Sequence, residues 1–226
     1  MSERTSVAFA DPGAAVEGVA IAGAGALIVR DGELSAAAAP EIEERSLRVA
    51  DVCDLALEPL APAGELSAQG VTIWLCSAKG AVAGVAFDGL AALTRRPERV
   101  APLERSAAIL FGPASSFVLA ASAPPGAGGH GDEEIAGLAF RGEPLAAEPL
   151  DRTRISTTYD AAGLARHAGI ELWESEDAEF PLRIGGEALT GGELAHPGGE
   201  RTRVAFLAWH SEAHHAVGVY TITTTD

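Results

Sequence analysis

The stretch Ser156-Thr157-Thr158-Tyr159-Asp160, followed by Arg166-His167-Ala168-Gly169-Ile170-Glu171-Leu172-Trp173, predicts two β-strands joined by a tight turn. The first strand begins upstream, at Arg152, and its residues alternate in character with the two-residue period of a strand. One face carries Arg152, Arg154, Ser156 and Thr158, and the other carries Thr153, Ile155, Thr157 and Tyr159. A polar strand face either meets solvent or lines a ligand cavity, and the pattern leaves both interpretations open.

The same strand pattern continues along the whole chain, where 26 Gly and 13 Pro residues separate short apolar runs. We predict fourteen strands, at residues 6–10, 16–22, 26–30, 47–57, 71–77, 82–88, 107–111, 117–122, 134–141, 153–159, 168–175, 180–188, 203–210 and 216–223. Short helices are expected at most at residues 35–45 and 89–96. Many strands without long helices predict an all-β fold of antiparallel barrels or sandwiches.

Some of these strands are apolar on both faces. Residues 71–76 (Val-Thr-Ile-Trp-Leu-Cys) and 204–209 (Val-Ala-Phe-Leu-Ala-Trp) are the clearest examples. A strand that buries both faces lies between a core and a second packed surface, such as another barrel. The connector at residues 95–102 is dense in Arg and Pro, and it predicts two domains, at residues 1–102 and 103–226.

Composition limits the class of protein. A hydrophobic content of 47% over 226 residues is enough for a sizeable core. The net charge of −16 disfavours nucleic acid and anionic membrane surfaces as partners. No apolar run approaches a membrane span and no signal segment is recognised, so we predict a cytoplasmic protein without membrane insertion. Cys53 and Cys76 are therefore expected as buried, reduced thiols.

The glycine-rich segment at residues 124–134 resembles a phosphate-binding loop only superficially. It lacks the Gly-Lys-Ser/Thr ending and leads into a strand through three acidic residues, so no nucleotide cofactor is predicted. His130 lies beside Asp132 in this segment. The two residues form either a proton-transfer pair at a barrel mouth or part of a surface turn.

Three histidines surround the last predicted hairpin turn. His210 and His215 would be cross-strand neighbours, with His214 beside them. Together with Glu212 they have the ligand types of a divalent-metal site, although a solvated turn has the same composition. No HExxH, CxxC or HxH pattern is present, and no metal site is assigned.

Several motifs resemble one known family, the hydroxyneurosporene synthase and AttH-like branch of the lipocalin-like proteins. The similar segments are Phe9-Ala10-Asp11-Pro12 with Gly18, Arg105, residues 129–134, residues 156–173, Ala205-Phe206, Trp209 and Val217-Gly218-Val219-Tyr220. The resemblance covers residues 103–222 best. It implies two lipocalin-like β-barrels packed side by side, a hydrophobic small-molecule ligand, and hydratase or cyclase activity without a cofactor. Family members are usually longer, and this chain lacks their Trp/His/Gly-rich central segment, so it is expected to be a shortened member.

The leading hypothesis is a protein that binds an isoprenoid- or polyketide-like molecule in a barrel cavity and that hydrates or cyclises it. The candidate catalytic residues are His130, Asp132, Tyr159 and Glu171. Glu171 points away from its neighbours Ile170 and Leu172, either to solvent or to a cavity. The alternative hypothesis is a non-catalytic interaction or scaffold protein without a small-molecule site. The oligomeric state is not predicted.

Overall fold

The computed structural model describes residues 3–67, 69–97, 101–124, 126, 130–175, 177–212 and 214–225, without the side chain of His130. Its strands are β1 (Glu3–Asp11), β2 (Val16–Ile21), β3 (Gly25–Arg30), β4 (Glu33–Ala37), β5 (Glu41–Glu43), β6 (Ser46–Val49), β7 (Cys53–Pro59), β8 (Gly64–Leu66), β9 (Val71–Val82), β10 (Val85–Pro97), β11 (Leu103–Leu110), β12 (Ser116–Ala123), β13 (Glu134–Arg141), β14 (Ala146–Pro149), β15 (Arg152–Tyr159), β16 (Ala165–Trp173), β17 (Leu182–Ala195), β18 (Glu200–Ser211) and β19 (His214–Thr225). One turn of 3₁₀-helix, η1 (His130–Asp132), precedes β13.

The strands form two curled antiparallel sheets, so the predicted all-β fold of two half-barrels is confirmed. The N-terminal sheet has the order β4-β3-β2-β1-β10-β9-β7-β6-β5, with β8 added beside β9. The C-terminal sheet has the order β14-β13-β12-β11-β19-β18-β17-β16-β15. Both orders describe the same path, in which the first strand lies in the middle of the sheet and pairs with the last.

Three apolar layers hold the two sheets together. Each sheet encloses a core of its own, and the two sheets pack face to face through a third layer. The middle layer is formed by Val71, Ile73, Leu75, Ala92, Ala108, Leu110, Val118, Leu138 and Phe140, with further contacts from Val19, Ile21, Val204 and Phe206. Because this apolar area lies away from water on both sheets, the hydrophobic effect stabilises the pair as one unit.

The two strands predicted to bury both faces do so. In β9, Ile73 and Leu75 belong to the layer between the sheets, whereas Cys76 belongs to the N-terminal core. In β18, Phe206 packs between the sheets and Leu207 packs inside the C-terminal core. Alternation of side chains along a strand produces this result directly, because neighbouring residues point to opposite faces.

The predicted helices are wrong. Residues 89–96 lie within β10, and residues 35–45 contain the end of β4 and all of β5. In β10, Ala92 faces the other sheet and Leu93 faces the N-terminal core, so both faces gain burial only in an extended strand. The single strand predicted at residues 47–57 is two strands, β6 and β7, separated by a turn with Asp51 at φ 59°.

Both cysteines are buried and free, as predicted. Burial, with a further contribution from Asp54, raises the pKa of the Cys53 thiol to about 12. Burial raises the pKa of Cys76 to about 11. Neither thiol is therefore activated as a nucleophile. In the described part of the chain, no helix has the length and apolar character needed to cross a membrane.

Candidate functional site

A buried polar cluster lies inside the C-terminal sheet and centres on Arg105. Only 2% of this residue is exposed. Its Nε donates to Oε1 of Glu133 at 2.8 Å, and its Nη2 donates to Oε2 of the same carboxylate. The Glu133 side chain is itself fully shielded from solvent. The two residues therefore form a bidentate ion pair, the geometry in which a guanidinium binds a carboxylate most strongly.

Two hydroxyl groups complete the cluster on the other side of Arg105. Its Nη1 donates to Tyr220 Oη at 3.0 Å and to Thr157 Oγ1 at 3.3 Å. The hydroxyl oxygens of Thr157 and Tyr220 lie 3.0 Å apart. Tyr159 adds a hydrogen bond to Tyr220, so the network extends to the end of β15. We call Arg105, Glu133, Thr157, Tyr159 and Tyr220 the polar cluster.

Burial keeps Tyr220 in its neutral form. It raises the pKa of Tyr220 well above the ordinary value, and the opposing effect of Arg105 is smaller. Burial alone would lower the pKa of Arg105, but Tyr220 and Glu133 together outweigh it and the net shift is upward. The cluster therefore contains a charged guanidinium and a phenol that remains a hydrogen-bond donor.

Strand pairing explains why residues so distant in sequence meet. In the ladder between β11 and β19, Ala107 lies opposite Tyr220 and Arg105 lies opposite Ile222. Arg105 and Tyr220 thus point into the same core, two residues apart along the sheet. Thr157 and Tyr159 belong to the alternating inner face of β15, where Ile155 and Tyr159 pack against that core.

A trough crosses the outer face of the same sheet. Ser156, Gly169 and Gly185 are consecutive partners across β15, β16 and β17. The two glycines contribute no side chains to this row, and we call it the glycine trough; at its far end the imidazole of His210 lies beside Gly185, where a methyl group would lie 2.7 Å from His210 Cε1 and Nε2. A methyl group on Gly169 would approach only Ser156 Oγ, at 2.7 Å, so the space above it is otherwise open.

The trough is part of a cleft of about 790 Å³. The cleft extends from the three strands to η1 and the start of β13, where its lining residues are Gly131, Glu133 and Ile135. Here β13 and the edge strand β15 lie side by side, and a methyl group on Gly137 would lie 3.1 Å from Thr153 Cγ2. We call this junction the seam. The cleft therefore reaches from the glycine trough to the residues that support the polar cluster.

The cleft lies outside the barrel core, contrary to the expectation of a ligand in a barrel cavity. Ile170 and Ile184 border the cleft, yet each is 1% exposed and packs inside the C-terminal core. Their side chains therefore fill the interior, and the cleft passes over their backbone. The polar face of β15 is on the exposed side, with Arg154 and Ser156 forming part of the cleft wall.

Glu171 is the predicted site residue that lines this cleft. It lies between two arginines, with Oε1 at 3.2 Å from Arg183 Nε and Oε2 at 4.0 Å from Arg154 Nη1. Its side chain is 32% exposed, and both arginines are mostly exposed. The cleft thus has a charged wall beside the glycine trough, with one carboxylate held between two guanidinium groups.

The other predicted site residues lie on η1 and at the end of β15. Asp132 is exposed in η1, between Gly131 and Glu133 of the cleft lining. Tyr159 is half-buried and belongs to the polar cluster. His130 has its backbone in η1, but its side chain lies outside the described residues. Of the described candidates, Glu171 lines the cleft, Asp132 lies beside its lining and Tyr159 belongs to the polar cluster.

Sequence analysis did not select Arg105, Glu133 and Tyr220 as site residues. All three were present in the segments that carried the family resemblance, but each appeared as a motif position without a chemical role. The position of Arg105 in its strand could have identified it. Arg105 lies two residues before Ala107 and four before Ile109, so it points into the same core as they do. A charge at such a position needs a buried partner.

The histidine hairpin has the predicted geometry. His210 lies directly opposite His215 in the ladder between β18 and β19, so their expected pairing is confirmed. The ring of His214 contacts Phe111, with centroids 6.4 Å apart. Among the residues that the structure describes, no group of three or more His, Cys, Asp or Glu side chains is arranged to hold a metal ion.

Comparison with known proteins identifies the fold. No family model matches the chain, and no curated protein matches it. Kievitone hydratase from Nectria haematococca has a similar structure, with a TM-score of 0.57 and 8% identity over 98% of this chain and 88% of that chain. A provisionally named AttH protein from Nitrosomonas europaea has a TM-score of 0.56 and 13% identity over 98% of this chain and 92% of that chain.

The chain has the double-barrel, lipocalin-like fold of these two proteins. The AttH-like part of the predicted resemblance is confirmed at the level of fold, and the narrower resemblance to hydroxyneurosporene synthase stays a prediction. The match covers most of the length of both neighbours, so this chain is not much shorter than these two proteins. A shared fold does not establish a shared activity.

Proposed function

We propose that this chain binds a hydrophobic small molecule in the cleft formed by the glycine trough and the seam, and that it adds water to that molecule or cyclises it without a cofactor. The observation that carries the proposal is the cleft itself. Its volume of about 790 Å³ lies within the range of roughly 300–1,000 Å³ that is usual for small-molecule sites. Hydration is placed first because one structural neighbour is a hydratase.

The lining of the cleft favours an oxygen-bearing ligand over a pure hydrocarbon. Ile135 and Ile155 provide apolar surface at the seam, whereas Arg154, Glu171 and Arg183 provide charged hydrogen-bonding groups along the trough. A bare isoprenoid chain would displace the water around those groups without replacing its hydrogen bonds. A polyketide-like skeleton with hydroxyl or carbonyl groups matches both parts of the lining.

Acid–base groups for hydration are present around the cleft. Addition of water to a double bond places one proton on carbon and removes one from the attacking water, so an acid and a base are sufficient. Glu171 is the partly exposed carboxyl group in the trough, Asp132 lies in η1 beside the cleft lining, and Tyr159 lies in the polar cluster. His130, Asp132, Tyr159 and Glu171 remain the proposed catalytic residues. The Arg105–Glu133 pair would hold the seam in place behind them.

Native mass spectrometry of gently purified protein tests the binding. A Gly169→Leu variant fills the trough, and Thr158→Leu is its matched control, since it adds the same side chain to an exposed position of β15 outside the cleft lining. We expect a co-purified small-molecule adduct on the wild type and on Thr158→Leu, and its loss from Gly169→Leu. A clean mass for the wild type, or an adduct that survives in Gly169→Leu, contradicts the proposed site.

Transfer of the released ligand to fresh protein in ¹⁸O-labelled water then tests the reaction. A hydratase incorporates label into the ligand by exchange at the added hydroxyl group. Label in the ligand with wild-type protein, and none with Glu171→Gln, supports hydration. If the ligand binds but takes up no label, the chain is a binding protein without hydratase activity.

A second candidate is an interaction protein without a small-molecule site. The observation that favours it is the exposure of two large apolar side chains, Phe180 at 76% and Leu189 at 59%. Exposed apolar side chains of this size mark protein-binding surfaces when they form a patch. The same mass spectra separate the two candidates, because this one predicts a clean monomer mass or a stable oligomer.

A further inference from the structure

The N-terminal sheet also contains an arginine, Arg95, near the end of its central strand pair. Both sheets follow the same strand order, so β1 and β10 correspond to β11 and β19. Arg95 lies on β10 opposite Thr5, whereas Arg105 lies on β11 opposite Ile222. Arg95 shares its face of β10 with Leu93, which packs in the N-terminal core.

The two arginines lie near the same end of the molecule. Arg96 and Glu104, their neighbours in sequence, form an ion pair across the junction of the two sheets, with Nη1 and Oε2 2.7 Å apart. In the C-terminal sheet this end is closed by Glu133 over Arg105. In the N-terminal sheet a cleft of about 230 Å³ lies beside Arg95.

The lining of this second cleft is partly apolar and partly charged. Pro59, Trp74 and Leu93 provide the apolar surface. Glu44, Arg45 and Arg95 provide the charged groups. The guanidinium of Arg95 stacks on the ring of Trp74, with its carbon 5.3 Å from the ring centroid. This contact is a cation–π interaction, and it fixes the guanidinium at the edge of the apolar surface.

The charge of the second cleft is opposite in sign to that of the whole chain. Two arginines and one glutamate line it, which is a net charge of +1, whereas the chain carries −16. Glu44 approaches Arg95 only through a 3.6 Å contact, and its side chain is 80% exposed. Such an exposed pair is worth little, so an incoming anion can replace Glu44 at modest cost.

We infer that this cleft, formed by Trp74, Arg95 and their neighbours, is a separate binding site for a small carboxylic acid with a flat apolar body. The apolar body lies against Trp74 and Leu93, and the carboxylate binds Arg95 in the place of Glu44. The ligand is small, because about 230 Å³ is below the usual size of a drug-like site. This site does not depend on the function proposed for the C-terminal sheet.

Titration with benzoate, followed by tryptophan fluorescence and by ligand-observed NMR, tests the inference. We expect saturable binding to the wild type, and an increase of at least tenfold in Kd for Arg95→Gln. Benzamide, a neutral molecule of the same shape, is expected to bind at least tenfold more weakly than benzoate. A Glu44→Gln variant should bind benzoate more tightly, because the competing carboxylate is gone.

The matched control is Arg152→Gln. Arg152 also stacks on a tryptophan, with its guanidinium carbon 4.0 Å from the ring centroid of Trp173, but on the C-terminal sheet and away from this cleft. It should bind benzoate as the wild type does. Equal affinity for benzoate and benzamide, equal affinity in Arg95→Gln and the wild type, or no saturable binding by either method overturns the inference. A circular dichroism spectrum of each variant separates these outcomes from loss of the fold.

Discussion

Arg105 and Glu133 form a bidentate ion pair whose side chains are almost fully shielded from solvent, although 28 positions separate them in the chain. The pair joins β11, in the middle of the C-terminal sheet, to the residue that precedes β13 at the seam. A buried pair of this kind contributes little net stability, but removal of either partner leaves an uncompensated charge. It therefore determines where the seam lies in relation to the core.

The first prediction concerns this pair. Arg105→Met should lower the free energy of unfolding by about 3–5 kcal/mol, because Glu133 is left buried without its partner. The double variant Arg105→Met with Glu133→Gln should recover a large part of that loss, since neither charge remains. Urea unfolding followed by tryptophan fluorescence measures both single variants, Arg105→Met and Glu133→Gln, and the double variant. Losses that simply add in the double variant would contradict direct coupling.

The second prediction separates the two tyrosines of the polar cluster. Tyr220→Phe removes a hydroxyl group that accepts from Arg105 at 3.0 Å, and it should cost about 1.5–3 kcal/mol, the usual range for a hydrogen bond to a charged group. Tyr159→Phe should cost about 1 kcal/mol or less, because Tyr159 is only half-buried and bonds a neutral partner. Thermal and urea unfolding give the comparison. A larger loss of stability in Tyr159→Phe than in Tyr220→Phe would contradict the assignment of Tyr220 as the more deeply buried tyrosine of the cluster.

The third prediction concerns Glu171 and the cleft. Glu171→Gln should change the free energy of unfolding by less than about 1 kcal/mol, because its two arginine partners are mostly exposed. The same substitution should reduce the fraction of protein that carries a co-purified ligand. The matched control is Glu193→Gln, since Glu193 also pairs with two arginines, Arg201 and Arg203, but outside the cleft. Equal ligand occupancy in both variants would exclude Glu171 from the site.

The fourth prediction concerns Glu17 on β2. The residue is 5% exposed, lies on the same strand face as Val19 and Ile21, and has one carboxylate oxygen without a hydrogen-bond partner. Burial raises its pKa to about 7. Between about pH 4.5 and 7 the unfolded chain releases this proton while the folded chain keeps it, so stability falls as the pH rises.

Substitution of Glu17 by Gln removes this pH dependence. At pH 8 the variant should be more stable than the wild type, by an amount on the order of 3 kcal/mol before relaxation of the site. At pH 4.5 the two proteins should differ little, because Glu17 is then protonated in the folded wild type. Urea unfolding at both pH values measures the difference. A stability difference that is the same at both pH values would show that the Glu17 charge is not the cause.

Much of the fold could be predicted because strand alternation is a local property. The exact bounds of β13 and the two-sided burial of β9 and β18 follow from short windows of sequence. The prediction failed at residues 89–96, where alanines and arginines favour a helix in isolation. Whether these residues form a helix or a strand depends on packing against the N-terminal core on one face and the other sheet on the opposite face, and both contacts exist only in the folded chain.

The candidate site was less predictable, because its parts come together through strand pairing. Glu171 could be selected from its strand alone, as an acid flanked by apolar neighbours. The glycine trough could not, since it exists only because Gly169 and Gly185 fall opposite each other in register. The polar cluster likewise joins β11, β15, β19 and the residue before β13, and no single segment contains the pattern.

The placement of each first strand beside its last strand has a consequence for synthesis on the ribosome. The central pair of the N-terminal sheet can form only after β10 has been synthesised, and that of the C-terminal sheet only after β19 has been synthesised. Such pairings close long loops and are slow to form. The N-terminal sheet can complete itself while the second half is still being translated, and its apolar outer face then remains without cover until β19 emerges. We therefore expect chains truncated before β19 to bind chaperones and to aggregate, whereas full-length chains do not.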